Sequence, residues 1–304
     1  MNKSVLGILI SGREMPETTQ RLITLAKESF MEVVVLNITS EVSQEDLEKM
    51  VVCDIIFNDS GEDYAINYIK IFENIGIPVV ESSKALLQES KWNFYKICMK
   101  NNIPVPKSIL LDNDLDIARK QLEEFNCWPV ILKRVVGTWG DYVQRAENAD
   151  ESIEVMKKFW EKGNQVMPII AQEFIDSFSY RVTYIGDEIV QTAIKENNNW
   201  KCTGVYAQNF KKFEIDDNLK SVIEKLMKSF DIKICGVDLL KRGDDWIVIE
   251  VNSEPALDFF PEETDWIIRK EIALIKKIID NSLEDEDRLV TVNSITPVKK
   301  DFSE

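Results

Sequence analysis

The chain has 304 residues, 53 acidic and 37 basic, with a net charge of −16 and no histidine. That length allows two or three domains with a sizeable core. The lack of histidine removes Ser-His-Asp hydrolases, Cys-His proteases and His-ligated zinc enzymes, and the acidic balance argues against nucleic acid, whose phosphates recruit basic surfaces.

No apolar run approaches the roughly 18–20 residues of a membrane span, so no membrane association is expected. The short apolar run at the N-terminus is expected to be a first core strand and not a signal peptide. Five scattered cysteines, Cys53, Cys98, Cys127, Cys202 and Cys235, suit reduced thiols and a cytoplasmic setting. Cys53 and Cys235 are expected in apolar core strands.

Along the first 80 residues, strands at 5–10, 32–38, 54–58 and 78–80 alternate with helices at 18–29, 43–50 and 63–74. Such βαβ alternation predicts a small parallel sheet with helices on both faces. Serines 40 and 43 offer capping signals before the second helix. The loop 11–14 lies at the carboxyl end of the sheet but is no GxGxxG fingerprint, so no dinucleotide site is expected there.

One long helix is expected over 84–101, broken by Ile103-Pro104-Val105-Pro106. A second unit follows, with strands at 130–135 and 142–145, a glycine-bearing loop at 136–141 and a helix at 150–162. The third unit is expected to be mostly antiparallel, with strands at 169–175, 181–185 and 188–195, a helix at 217–230, and a hairpin of strands 234–241 and 246–251. An amphipathic helix over 264–282 suits core or dimer packing, and the charged tail from Glu284 is expected to fray. The fold class expected is thus α/β followed by α+β, divided at 1–85, 86–165, 166–283 and a tail 284–304.

The hairpin carries the most informative residues. Alternation along a strand points Glu250 and Asn252 the same way, and the turn returns Asp238 beside them. Two carboxylates and an amide oxygen suit a hard divalent cation whose shell is completed by substrate phosphates or water. Solvated acidic residues would serve as well in a surface hairpin, but the neighbours are apolar, and unpaired buried carboxylates are costly. Elsewhere, Lys133 ends an apolar strand before Gly137-Thr138-Trp139-Gly140, where glycines permit close backbone approach to phosphates. Lys91 lies early in its helix beside Trp92, where a solvated surface lysine would be the common case. Gln172-Glu173-Phe174-Ile175 ends a strand whose free edge can pair with a planar base.

The order of these elements, KxxxxxxxxxxxxxPVP from Lys91, LKRVVGTWGD, QEFI, GVD and EVNSEPAL, resembles the ATP-grasp carboxylate–amine ligases, in their RimK-like branch, over roughly residues 1–282. The resemblance implies an ATP-grasp fold preceded by a parallel-sheet pre-ATP-grasp domain. It implies ATP and Mg²⁺ (or Mn²⁺) as cofactors. Lys91 and Lys133 match the phosphate-contacting lysines, Val136 to Gly140 the lid over the phosphates, and Gln172, Glu173, Phe174 and Ile175 the adenine and ribose linker. Asp238, Glu250 and Asn252 match the Mg²⁺ ligands, and Arg181, Lys195 and Lys201 are expected to serve the reaction itself. The implied reaction is attack of a carboxylate on the ATP γ-phosphate, giving an acylphosphate that an amine converts to an amide, a reaction of positioning and charge neutralisation that needs no histidine. The implied partners are an amino acid, a peptide or a carrier protein, with a homo-dimer or tetramer as the assembly.

The chain departs from the family pattern at three places. Ser179 stands at the aspartate of Asp-x-Arg, with Asp176 a candidate substitute. Asp141 stands where lysine-pathway relatives continue with arginine. Thr203 to Gln208 replace their Asn and Arg-Gly-Gly, with Lys201 keeping one positive charge nearby. Two functions fit: a ligase with a different substrate, or an ATP- and Mg²⁺-binding module without ligation. The complete Asp-Glu-Asn set favours the ligase.

Overall fold

The computed structural model describes residues 4–135, 142–163, 166–196, 200 and 209–293. These fall into two compact units, one of residues 1–80 with 262–304 and one of residues 81–261.

The first unit opens with β1 (Val5–Ile10), α1 (Glu17–Lys27), β2 (Glu32–Asn37), α2 (Gln44–Val51), β3 (Ile55–Asp59), α3 (Ala65–Asn74) and β4 (Val79–Val80). The strands form a parallel sheet in the order β2-β1-β3-β4. The central strand β1 is buried along its whole length, as expected where helices cover both faces. Ser43 caps α2 in a reciprocal box with Asp46. Cys53 is buried, but in the turn before β3 and not within a strand.

The second unit begins with α4 (Ser83–Glu89) and α5 (Lys91–Lys100). The single long helix expected here is two helices. Ser90 lies between them with extended backbone, φ −54° and ψ 132°, and so places Lys91 at a helix start. Next come β5 (Ser108–Leu111), α6 (Leu115–Phe125), β6 (Val130–Arg134), β7 (Val143–Ala146), α7 (Ala149–Gly163) and β8 (Ile169–Glu173). The strands make an antiparallel sheet ordered β5-β8-β6-β7. Strand β8, expected among the later strands, pairs here with β5 and β6. Leu111, Leu132 and Ala171 pack with Ala118, Leu122, Ile153, Met156 and Phe159 of α6 and α7, which covers one face of the sheet.

The rest of the unit is β9 (Ser179–Ile185), β10 (Glu188–Glu196), β11 (Asn209–Lys211), α8 (Asp217–Ser229), β12 (Ile234–Arg242) and β13 (Asp245–Asn252). These strands form an antiparallel sheet ordered β11-β10-β9-β12-β13. Its core face packs Val182, Val237, Leu239, Trp246 and Val248 against Leu219, Ile223 and Leu226 of α8 and Phe94 of α5. Asp216 caps α8, and it also accepts the Trp246 indole N–H at 2.9–3.0 Å, fastening helix to hairpin.

Residue 261 starts α9 (Pro261–Asn293), which runs well beyond the 282 expected from the sequence. The stretch after Ser282 holds Leu, Glu and Arg without Gly or Pro, so helix propensity carries it on. Within the first unit, Arg269 meets Glu28 at 2.9 Å and Arg21 meets Asp265 at 3.4 Å. Among the described residues no helix is long and apolar enough to cross a membrane.

Candidate functional site

The face of the β9–β13 sheet opposite the α8 core is built by register. Asp238 on β12 lies opposite Glu250 on β13 and opposite Arg181 on β9, and Arg181 in turn lies opposite Ala193 on β10. Lys195, two residues on from Ala193, shares its face. Strict alternation along β13 would put Trp246, Val248 and Glu250 on one face. A bulge prevents this: Leu239 pairs with Val248 while Asp238 pairs with Glu250, so Ile249 is an extra residue. Trp246 and Val248 therefore enter the core, and Glu250 and Asn252 turn to the opposite face beside Asp238. The bulge was not visible in the sequence, because Ile249 differs in no way from its apolar neighbours.

Cations crowd these carboxylates. Lys195 Nζ lies 2.8 Å from Asp238 Oδ1, and Arg181 Nε 3.5 Å from the same oxygen. Lys91 Nζ lies 3.6 Å from Glu250 Oε2. The Lys91 backbone N–H donates to Val135 O at 3.2 Å, which ties the start of α5 to the end of β6. Arg181 and Lys195 are only 7% and 3% exposed, so these pairs feel much less screening than surface pairs. Burial by itself would raise the Glu250 carboxyl. Lys91, Lys133, Arg181 and Lys195 together overcome burial and hold it at about 2.

Lys133 comes from the other sheet. It lies opposite Ile170, as Ile131 lies opposite Gln172, so Lys133 and Gln172 share the face of the β5–β8 sheet turned away from α6 and α7. Lys133 is 5% exposed, and burial pushes its ammonium down to about 8 despite the pull of Glu250. Gln172 is buried, and its Nε2 donates to Ser108 Oγ at 2.9 Å. Glu173 accepts the Lys107 N–H at 3.2 Å and pairs with Arg242. Phe174 lies under the Arg145 guanidinium at 4.5 Å, and Ile175 is buried. The structure thus gathers Lys91, Lys133, Arg181, Lys195, Asp238 and Glu250, while the Gln172 and Glu173 side chains already have partners in the protein. Ser179 is buried at the start of β9 and Asp176 is exposed. Gly137, Thr138, Trp139, Gly140, Asp141, Lys201 and the stretch from Thr203 to Gln208 lie outside the described residues.

Two neighbours went unnoticed in the sequence. Glu89 accepts both the backbone N–H of Ser253 (2.6 Å) and its hydroxyl (2.9 Å), anchoring the residue after Asn252. Burial raises the Glu89 carboxyl to about 7. Gly236 lies opposite Asn252, and a Cβ there would overlap the Arg181 guanidinium. Ser90 between two helical stretches was the available signal for the first, since serine is a favoured N-cap residue. The second had none.

Two antiparallel sheets, one presenting a buried lysine and the other carboxylates ringed by cations, define a protein of the ATP-grasp class. Solved structures share the fold. A RimK domain ATP-grasp protein from Sphaerobacter thermophilus superposes with a TM-score of 0.71 at 14% identity, covering 88% of this chain and 98% of that one. D-alanine–D-alanine ligase from Bacillus anthracis complexed with ATP gives 0.71 at 17% identity, covering 93% and 99%. The chain belongs to the RimK-like ATP-grasp domain family, whose model matches residues 88–278. It is 26% identical over 222 residues to a probable alpha-L-glutamate ligase of Haemophilus influenzae, covering 71% of this chain and 72% of the relative. It is 29% identical over 206 residues to the coenzyme gamma-F420-2:alpha-L-glutamate ligase of Methanocaldococcus jannaschii, covering 65% and 69%. The protein is accordingly an enzyme, an ATP-dependent carboxylate–amine ligase that forms a C–N bond.

Proposed function

We propose that the cleft of the second unit binds Mg²⁺-ATP and activates the carboxylate of an amino acid, a peptide or a carrier protein for attack by an amine. The observation that carries this is the charge of the cleft: among the described residues Lys91, Lys133, Arg181 and Lys195 gather around Asp238 and Glu250, and burial holds the neighbouring Glu89 carboxyl up at about 7. That surplus of positive charge suits a polyphosphate. Lys91 and Lys133 take the phosphates. The linker from Gln172 to Ile175 borders the base through Phe174 and Ile175 and not through the free strand edge expected from the sequence, since β8 is paired on both sides with β5 and β6 and the Glu173 and Phe174 N–H groups already donate to Lys107 O (2.9 Å) and Pro129 O (3.2 Å). Amino-acid, peptide and carrier partners also fit relatives such as an alpha-aminoadipate–LysW ligase of Saccharolobus solfataricus and a structural neighbour complexed with a precursor peptide.

The donor set fits a hard divalent cation. Asp238 and Glu250 face each other across the hairpin with Asn252 on the same side, and all three offer oxygen. Among the described residues no cluster of three or more His, Cys, Asp or Glu side chains forms a metal cage. When bound, Mg²⁺ neutralises charge on the phosphates. The protein's own share is positioning. Arg181 and Lys195 border the space next to Asp238, where the substrate carboxylate approaches the γ-phosphate in line, and their charge stabilises the oxygens that gain charge during transfer.

The test is ADP release by the purified chain with Mg²⁺-ATP and pooled amino acids and dipeptides, compared with Asp238→Asn and Glu250→Gln. Release that depends on an acceptor and is lost in both variants, with the far-UV spectrum unchanged, is the expected result. Full activity in either variant overturns the assignment.

A further inference from the structure

The site face does not end at Lys195. In the β10–β11 ladder Phe210 is the direct partner of Lys195, and residues opposite each other in an antiparallel pair project from the same face. Phe210 therefore continues the row of Asp238, Arg181 and Lys195 outward with a phenyl ring. A second ring meets it: the Phe259 centroid lies 4.9 Å from that of Phe210, tilted by 55°, and 5.9 Å from Lys195 Nζ. Neither ring is in the core under α8, and both are half-exposed. The adjacent Phe260 is faced by Lys212 at 5.0 Å, while Phe210 and Phe259 pack on each other beside Lys195.

Such a pair flanking the reactive end of a site discriminates by its chemistry. A phenyl wall gains free energy by covering an apolar side chain, and a charged side chain placed there is desolvated without a partner. Among the described cations nearby, Lys195 pairs with Asp238 and Lys212 faces the Phe260 ring, and the Arg181 donors without a hydrogen-bond partner, Nε and Nη1, are those the activated carboxylate itself takes in the ligase reading. We propose that Phe210 and Phe259 form the side-chain wall of the substrate subsite, and that the molecule whose carboxylate is activated carries an aromatic or bulky aliphatic group beside it and not an acidic one. This rests on the reading of the cleft as a ligase site, and it sets the chain apart from relatives named for glutamate and aminoadipate.

The test measures binding of 3-phenylpropionate and glutarate, which present the same carboxylate beside an aromatic or an acidic end. Ligand-observed NMR on the full chain with Mg²⁺ and AMP-PNP gives both affinities. Phenylpropionate is expected to bind at least tenfold tighter. That preference falls below threefold in Phe210→Ala and Phe259→Ala and survives in Phe259→Trp, which keeps an aromatic face and controls for general disturbance. Glutarate binding as tightly, absence of phenylpropionate binding, or an unchanged preference in both alanine variants overturns the proposal. AMP-PNP affinity in the same samples separates the two readings. If AMP-PNP itself fails to bind, the ligase site is wrong, and if it binds while phenylpropionate shows no preference, only the aromatic wall is wrong.

Discussion

The Arg181 guanidinium fills the space that a Cβ on Gly236, the residue opposite Asn252 in the hairpin, would need. Any side chain at 236 would occupy the volume of Nη1, and Arg181, 7% exposed, has little space to retreat. Gly236→Ala is therefore expected to leave the strand intact and push the guanidinium away from Asp238. A displacement on the scale of 1 Å in a positioning group costs about 10²-fold in rate. The check is kcat for ADP release beside a thermal melt. Activity within threefold of the parent would show that Arg181 relaxes freely.

Lys133 supplies a pH dependence. Burial favours its neutral form and brings its ammonium to about 8, so the charge available to phosphates is lost as pH rises through that value. The kcat/KM for ATP reports the free enzyme and is expected to fall above pH 8. Lys133→Arg keeps its charge throughout and should remove the inflection, even where it lowers the plateau. A profile flat from pH 7 to 9.5 in the parent enzyme would deny Lys133 this role.

The parallel sheet of the first unit was legible because each strand and helix there is short, periodic and separated by capping or turn residues. That Glu250 and Asn252 share a face was legible from strand alternation, but their place beside Asp238 was not, because the tight turn alone would pair Asp238 with Ile249 and only the bulge shifts its partner to Glu250. Other features depend on contacts distant in sequence. Strand β8 pairs with β5 and β6, 64 residues from Ser108 in the case of Gln172, and no local pattern specifies that choice. The break at Ser90 is set beside a carboxylate that reaches across to Ser253, 164 residues on. The strand β5 and helix α6 escaped notice although Asp114 caps the helix with two hydrogen bonds to its first turn.

The Glu89–Ser253 contact predicts a selective defect. Ser253→Ala removes the 2.9 Å hydroxyl bond and keeps the 2.6 Å backbone bond. A net loss of about 1 kcal/mol is expected, the scale of one such hydrogen bond. Asn252 should become less well held, so the Mg²⁺ concentration needed for half-maximal ADP release is expected to rise several-fold. Ser253→Thr, which keeps the hydroxyl, should restore most of it. An unchanged Mg²⁺ dependence in the alanine variant would confine the contact to stability.

Glu81 governs how stability varies with pH. It is 2% exposed, one oxygen accepts the N–H groups of Lys233 (2.9 Å) and Ile234 (2.8 Å), and the other has no hydrogen-bond partner. Burial, partly offset by those donors, raises its carboxyl to about 7. The folded chain therefore holds a proton that the unfolded chain releases near pH 4.5, so unfolding stability declines as pH rises between those values. The stabilisation is complete below the unfolded value and lost as pH passes the folded one, for a total of about 3 kcal/mol. Glu89, at about 7, and Asp59, at about 6, act in the same direction. Glu81→Gln keeps an acceptor for both N–H groups and cannot ionise, so it should flatten part of this decline. Urea midpoints at pH 5 and pH 8 measure the effect: the parent is expected to be less stable at pH 8, with a smaller gap in the variant. Equal gaps in the two proteins would mean that Glu81 ionises without cost.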